Sequence, residues 1–445
     1  MMLLSRMAQR GRPGRPPGRS ARAQARLLSQ VVDGCRRLLS ERGESNSVAI
    51  AQEVLALYAG LTAEQRLAFF KLLDSDFGPD PKAVLEAAQR YAEAPEATRL
   101  MALIHAAEPP RQELLRRLNR ASGGTAVIVE MRRTLLELLK THPDLAAVEA
   151  DFLHLLSSWF NPGFLQMEQV DWRSPAALLE KIIQHEAVHE IDGWADLRRR
   201  LQPDRRCFAF FHPQLPGEPL IFVEVALVAE MPAAVGPLID VRSPPQTDER
   251  QYRVATFYSI SNCQPGLKGV SLGNFLIKRV AEHLQREFPQ LRTFCTLSPI
   301  PGFVAWLNQH APGLREREDL PPKLKARLLQ ALAALVQHGG EPGAWSAVQP
   351  QQASEPLREA LSLLAAFYLA HESVTPRGDP VAKFHLGNGA RLERLNWAGD
   401  LSRKGLKQSL GLMVNYLYDL RHIEDHHERF VHGEVVASRA LQRLL

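Results

Sequence analysis

The sequence predicts an α+β protein in which an N-terminal all-α helical domain precedes a mixed-sheet domain. Three observations carry this reading. From about Ala25 to Ser158 the apolar residues recur at helical spacing and hardly any segment is rich in β-branched or aromatic residues. Asn161-Pro162-Gly163 then breaks the pattern. Beyond it, short apolar strands and amphipathic helices mix in an order that suits a sheet covered by helices. At 445 residues the chain is long enough for two or three full cores.

Residues 1–26 hold seven arginines (Arg6, Arg10, Arg12, Arg15, Arg19, Arg22 and Arg26) and no acid. They account for the net charge of +5, so the body of the chain is not basic and no nucleic-acid partner is expected. Pro, Gly and Arg mixed without periodicity predict a disordered basic tail over 1–26. A mitochondrial transit peptide, hence the matrix, is the alternative, against which the prolines count. Cys35, Cys207, Cys263 and Cys295 form no Cys-x-x-Cys pair and read as reduced, buried thiols of a cytoplasmic protein. No run approaches the roughly 18 apolar residues of a membrane helix, so no membrane partner is expected.

The helical domain is expected over 27–158. Thr62-Ala63-Glu64-Gln65 is a capping box opening onto Leu67, Phe70 and Leu73, and Pro81 suits the first turn of another helix. Met131–Lys140 and Ala146–Trp159 continue the theme. No ligand cluster lies inside it, which points to packing or oligomerisation.

The mixed-sheet domain is expected over 159–445. It begins with a helix from Pro175 to about His189, ended by Asp192-Gly193, and two strands follow at Cys207–Phe211 and Leu220–Val228. His185-Glu186-Ala187-Val188-His189 matches the spacing of zinc peptidases, in which two imidazoles four apart on a helix bind the metal. The helix stops too soon and no third ligand follows, so a polar histidine pair and no metal site are expected. His422, His426, His427 and His432 lie among Glu424, Asp425 and Glu428 and read as a solvated helix face.

The stretch Tyr252–Trp306 organises the domain. Val254, Thr256, Tyr258 and Ile260 alternate along a buried strand; Gln264–Gly273 supplies Pro265 and three glycines; Phe275, Leu276, Val280 and Leu284 recur at helical spacing. A glycine loop emptying into a helix N-terminus suits a pyrophosphate. Lys268-Gly269-Val270-Ser271-Leu272-Gly273 is similar to the Gln/Arg-x-x-Gly-x-Gly loop of N-acetyltransferase-like (GNAT) folds, which hold coenzyme A there, with Ser271 at the first glycine. Leu291–Leu297 is the next strand. Ser298 stands at its end, pinned by Pro299 and Pro301-Gly302, neighbours expected to be unable to continue a sheet. His385 falls in a short helix capped by Asp379-Pro380 and ended by Gly387-Asn388-Gly389. By its neighbours Phe384 and Leu386 alone, it reads as a core residue.

Longer strings are more specific. FYSIS (257–261), QPGLKGVSLGNFLIKRV (264–280), LQREFP (284–289), LSPIPGF (297–303), DPVAKFHLGNGA (379–390), LNWAGDLS (395–402) and GLMVNYLY (411–418) resemble the malonyl-CoA decarboxylase family. WFNPGFLQMEQVDWRSP (159–175) and PGEPLIFVEVAL (216–227) extend the resemblance over most of the chain after about Leu155. It implies a GNAT-like catalytic domain that turns malonyl-CoA into acetyl-CoA and CO2. It implies Ser298 and His385 as the catalytic pair, and Lys268, Gly269, Val270, Ser271, Leu272, Gly273 and Asn274 as the substrate-binding loop. Related enzymes can carry Glu where Ser271 stands, so an acid-dependent role there is in doubt. A homotetramer through the helical domain is also implied.

This chemistry needs no cofactor, because the thioester carbonyl takes up the electron pair that CO2 leaves behind. His385 is the expected proton donor, since an ordinary histidine titrates near working pH. The rival enzyme is a GNAT-type acyltransferase acting on an amine; the rival without chemistry is a helical scaffold that senses acyl-CoA.

Overall fold

A computed structural model describes residues 19–40, 46–270, 272, 276–339 and 350–445. The chain divides into two compact units, Met1–Phe160 with Pro265–Val270, and Asn161–Gln264 with Ser271–Leu445. The first is helical and the second is built on a mixed sheet, so the α+β class predicted from the sequence holds.

In the helical unit the starts of helices follow the side chains that cap them. Thr62 Oγ1 accepts from the Gln65 N–H and Gln65 Oε1 accepts from the Thr62 N–H, so both halves of the capping box form ahead of the Ala63–Ser75 helix. Asp80 caps the Pro81–Glu93 helix through the Lys82 N–H. Tyr58, Phe69, Phe70 and Phe152 stack edge to face in its core. One expectation fails at the N-terminus: Arg19–Arg26, placed in the disordered tail, open the Arg19–Leu39 helix. Past the last proline, Pro17, alanine, arginine and glutamine are strong helix formers, and their propensity outweighs the charge. The rest of the expected tail lies outside the described residues.

Pro265–Val270 packs with this unit. Arg132, itself buried, donates to the Gly266 carbonyl at 2.7 Å while holding Glu149, and a Cβ on Gly266 would stand 2.0 Å from the Val129 carbonyl. Only glycine admits that approach.

Among its described residues the second unit carries eight strands: β1 (Gln166–Val170), β2 (Arg205–Phe211), β3 (Ile221–Val228), β4 (Val254–Asn262), β5 (Thr293–Thr296), β6 (Ser298–Pro299), β7 (Arg391–Asn396) and β8 (Met413–Leu417). Their order is β1-β2-β3-β4-β5-β8-β6, with β7 also on β8. Every pairing is antiparallel except β4 with β5, the two strands flanking the glycine loop and the Leu276–Glu287 helix. A parallel pair needs such a crossover, and this one supplies it.

Two local expectations are corrected. The helix beginning at Ala176 ends at His185, not at Asp192-Gly193, so His185 and His189 share no helical face. The reason is Glu186, whose carboxylate accepts the Val188 and His189 N–H groups and so competes with helix continuation. His189 is buried there, and burial pushes its pKa down to about 4. The other correction is at Ser298-Pro299, which does continue the sheet, antiparallel to Val414 and Met413. A proline is tolerated where a strand lies at the end of the sheet.

Candidate active site

The site opens where the parallel pair parts. Val254–Phe257 run beside Thr293–Thr296, and the Leu297 N–H donates to the Phe257 carbonyl at 2.9 Å. From there β4 continues against β3 to Asn262, whereas Ser298 and Pro299 turn to β8. The gap is a cavity of about 340 Å³, lined on one side by Phe257–Ile260 and Asn262, and on the other by Ser298, Pro299, Pro380, Val381, Phe384 and His385; Val188 and Ile221 complete it. Four consecutive residues of one strand lining a cavity conflicts with alternation across a regular sheet. A bulge explains it: Glu224 pairs with Ser259 and Val225 with Phe257, so Tyr258 has no Cα partner.

His385 is delivered by the Pro380–Gly387 helix. Asp379, buried at its N-terminus, accepts from the Val381 and Ala382 N–H groups and, with its other oxygen, from the Gly302 N–H at 2.9 Å. The cap expected from sequence therefore also ties the turn after Ser298 to the helix that bears His385. At the far end, the His427 ring N–H donates to the Gly387 carbonyl at 2.7 Å and that of His426 to the Gly389 carbonyl at 3.3 Å. These two histidines close the helix C-terminus. The solvated face expected for the cluster holds for His422 and His432, which are exposed, and fails for His426, which is buried.

Ser298 and His385, 87 residues apart, meet: Oγ lies 3.1 Å from Nε2. Ser298 Oγ also donates to Thr296 Oγ1 at 2.9 Å, and His385 Nδ1 lies 2.8 Å from the Tyr418 hydroxyl. The imidazole stacks on Tyr416, centroids 4.7 Å apart. If Ser298 donates to Thr296, its oxygen accepts from Nε2–H; Nδ1 is then bare and accepts from Tyr418. This assignment satisfies every bond along Tyr418, His385, Ser298 and Thr296.

Burial drives the His385 pKa down to about 3. The ring is neutral at any working pH, which overturns the reason given above for its role, an ordinary histidine titration. One prediction follows. kcat measured from pH 8 to pH 5 should show no ionisation near 6.5 assignable to His385, and a limb there that disappears in His385→Gln would contradict the neutral ring. The sign for stability is the same: between about pH 6.5 and 3 the unfolded chain binds a proton that the native ring refuses. The contribution present above pH 6.5 is therefore lost on acidification.

The expected binding loop is divided. Lys268 and Gly269 are exposed, Gly269 at φ +81°, and Val270 and Leu272 are buried; Ser271, Gly273 and Asn274 lie outside the described residues. Among the described residues no three or more of His, Cys, Asp and Glu come together as a metal site, and Glu186 is occupied by Ser259, Ser261 and two backbone N–H groups. All four cysteines are buried free thiols, and burial raises Cys35, Cys263 and Cys295 to about 12. No helix of the described residues is long and apolar enough to cross a membrane. Tyr418 and Thr296 were missed in the sequence. Each lies in or beside a string already singled out, but their convergence depends on β8 lying beside both β5 and β6, which no local pattern encodes.

The chain matches the malonyl-CoA decarboxylase C-terminal domain over residues 163–445 and the malonyl-CoA decarboxylase N-terminal domain over 77–160. It is similar to the malonyl-CoA decarboxylase, mitochondrial, of Mus musculus, 36% identical over 92% of this chain and 89% of that one, and to its namesake in Anser anser anser, 38% identical over 83% and 77%. Among solved structures it resembles the malonyl-CoA decarboxylases of Rhodopseudomonas palustris (45% identical, TM-score 0.83) and Agrobacterium vitis (46%, 0.79), each covering 94% of this chain and 99% of the other. The chain belongs to the malonyl-CoA decarboxylase family of carboxy-lyases.

Proposed function

We propose that this protein converts malonyl-CoA to acetyl-CoA and CO2 with Ser298, His385 and the thioester itself, without metal or organic cofactor. The observation that carries the reading is the 3.1 Å contact of Ser298 with a neutral His385 at a cavity whose described lining contains no lysine or arginine. A carboxylate entering such a cavity loses hydration and gains no ion pair. Departure as uncharged CO2 relieves that cost.

The C–C bond to the carboxylate breaks, and its electron pair moves into the thioester carbonyl as an enolate. Ser298 Oγ–H, turned from Thr296 toward the substrate, is the donor we assign to the enolate oxygen. A donor aimed at a developing oxyanion is typically worth about 2.7–4 kcal/mol. The proton that converts the α-carbon to a methyl group comes from His385 Nε2–H as Nδ1 takes the Tyr418 proton; after product leaves, water returns a proton to Nε2 and the Nδ1 proton goes back to the Tyr418 oxygen, which restores the starting tautomer. A thioester enolate is basic enough to take a proton from a neutral ring.

The loop Lys268–Asn274 is proposed to hold the coenzyme. Lys268→Ala should raise KM for malonyl-CoA several-fold and leave kcat near wild type, measured by steady-state kinetics, because it removes binding common to ground and transition states. A fall in kcat with KM unchanged would remove the loop from coenzyme binding. The family reading also supports a homotetramer through the helical unit, to be checked by light scattering. The cytoplasm is the proposed compartment, with the mitochondrial matrix as the alternative that the names of the mouse and goose relatives favour. Incubation with malonyl-CoA and no acceptor tests the activity itself: acetyl-CoA and CO2 in equal amounts are expected, whereas turnover only when an amine is added would favour the acyltransferase.

A further inference from the structure

The segment Glu186–His189 is neither helix nor metal site, yet it is held more firmly than a surface loop requires. The Glu186 carboxylate accepts the Val188 and His189 N–H groups at 2.8 Å each and the Ser259 hydroxyl at 2.6–2.7 Å, with Ser261 Oγ at 3.3 Å. The Ala187 N–H donates to Ser261 Oγ at 3.1 Å. Lys404 Nζ is bonded to the Ala187 and Val188 carbonyls, and the buried Arg200 donates to the His189 carbonyl at 2.9 Å. Backbone donors and acceptors of this short stretch are thus taken up by four side chains, Glu186, Ser261, Lys404 and Arg200. The segment contributes Val188 to the cavity wall, and Ser259, which Glu186 holds, lines the same space beside Ser298 and His385.

We infer that Glu186 is a positioning residue that fixes Val188 as a rigid wall of the cavity, and that Val188 limits the bulk an acyl group can carry at its α-carbon. This rests on the decarboxylase reading above. A cavity of about 340 Å³ is near the lower end for ligand sites, so the acyl end has little spare room. An apolar wall senses one methyl group only if it cannot retreat. Glu186 supplies that stiffness from below, through the backbone of the residue it positions, without touching substrate.

The test compares kcat/KM for malonyl-CoA with that for its α-methyl analogue in wild type, Val188→Ala, Glu186→Ala and Glu186→Gln, with the melting temperature of each. One methylene in an apolar pocket is worth roughly 10- to 200-fold in discrimination. Val188→Ala should shift the ratio toward the α-methyl substrate by at least about 10-fold. Glu186→Ala should shift it in the same direction. Glu186→Gln, whose amide keeps an acceptor for the two N–H groups, should return it most of the way. An unchanged ratio in a folded Glu186→Ala, or in Val188→Ala, would overturn the inference. Should Glu186→Ala fail to fold, Val188→Ala and Glu186→Gln decide it: an unmoved ratio in the former, or a ratio in the latter shifted as far as in Val188→Ala, counts against it. Absence of malonyl-CoA turnover in wild type would instead remove the reading on which it rests, so the two failures are distinct.

Discussion

Ser298→Ala and His385→Ala should each lower kcat by roughly 10²–10⁴ while leaving KM for malonyl-CoA within a few-fold of wild type. In the proposed mechanism both groups act on charge and protons that exist only after the C–C bond begins to break, so their loss falls on the transition state. Ser298 is small, and His385 is stacked on Tyr416 and buried, so Ser298→Ala should fold normally and His385→Gln is the safer histidine variant. Because the two share one hydrogen bond, the double variant should lose much less than the product of the single effects. Steady-state kinetics on the four proteins decides it. Multiplicative losses, or a defect confined to KM, would separate the residues from a common chemical step.

Arg200→Ala should cost the most stability, about 3–5 kcal/mol, because it strands a buried carboxylate. Arg200 bonds Glu224 at 2.9 Å, both side chains almost wholly buried, and adds Asp196 and the His189 carbonyl. Burial pushes the Glu224 carboxyl up, and the Arg200 guanidinium beside it pulls it back toward the charged form. With the guanidinium gone, Glu224 must take a proton or open the core to water. Chemical denaturation at pH 7 reads the loss. Adding Glu224→Gln should recover part of it, since the amide carries no charge to strand. A loss under about 1 kcal/mol for the single variant would mean the pair is solvated, contrary to its burial.

The sequence was most legible where local chemistry decides structure. The capping box at Thr62, the Asp379-Pro380 helix start and the β4, glycine loop, helix and β5 unit were readable because caps and periodicity act within a few residues. β1 and β7 were not: QMEQV and RLERLN are too polar to show alternation, and edge or partly exposed strands need none. The proposed pair, Ser298 and His385, came from the resemblance to a family, not from their own neighbours, which made His385 look like core. That reading was half right, since His385 is a core residue by burial and is neutral for that reason. His-Glu-Ala-Val-His misled only in the length of its helix. Spacing implied a helix, and the glutamate that would have served a metal instead ends the helix by bonding the next two N–H groups.

In the proposed reaction malonyl-CoA loses CO2 by the work of Ser298 and a neutral His385 alone, with the thioester as electron sink. The most direct measurement is turnover of carboxyl-labelled malonyl-CoA by protein dialysed exhaustively against EDTA, with metal content checked and no acceptor present. Labelled CO2 and acetyl-CoA should appear in equal amounts at the undialysed rate, and both should fall together in Ser298→Ala. Activity lost on chelation and restored by Zn²⁺, or full CO2 release by Ser298→Ala, would contradict the account.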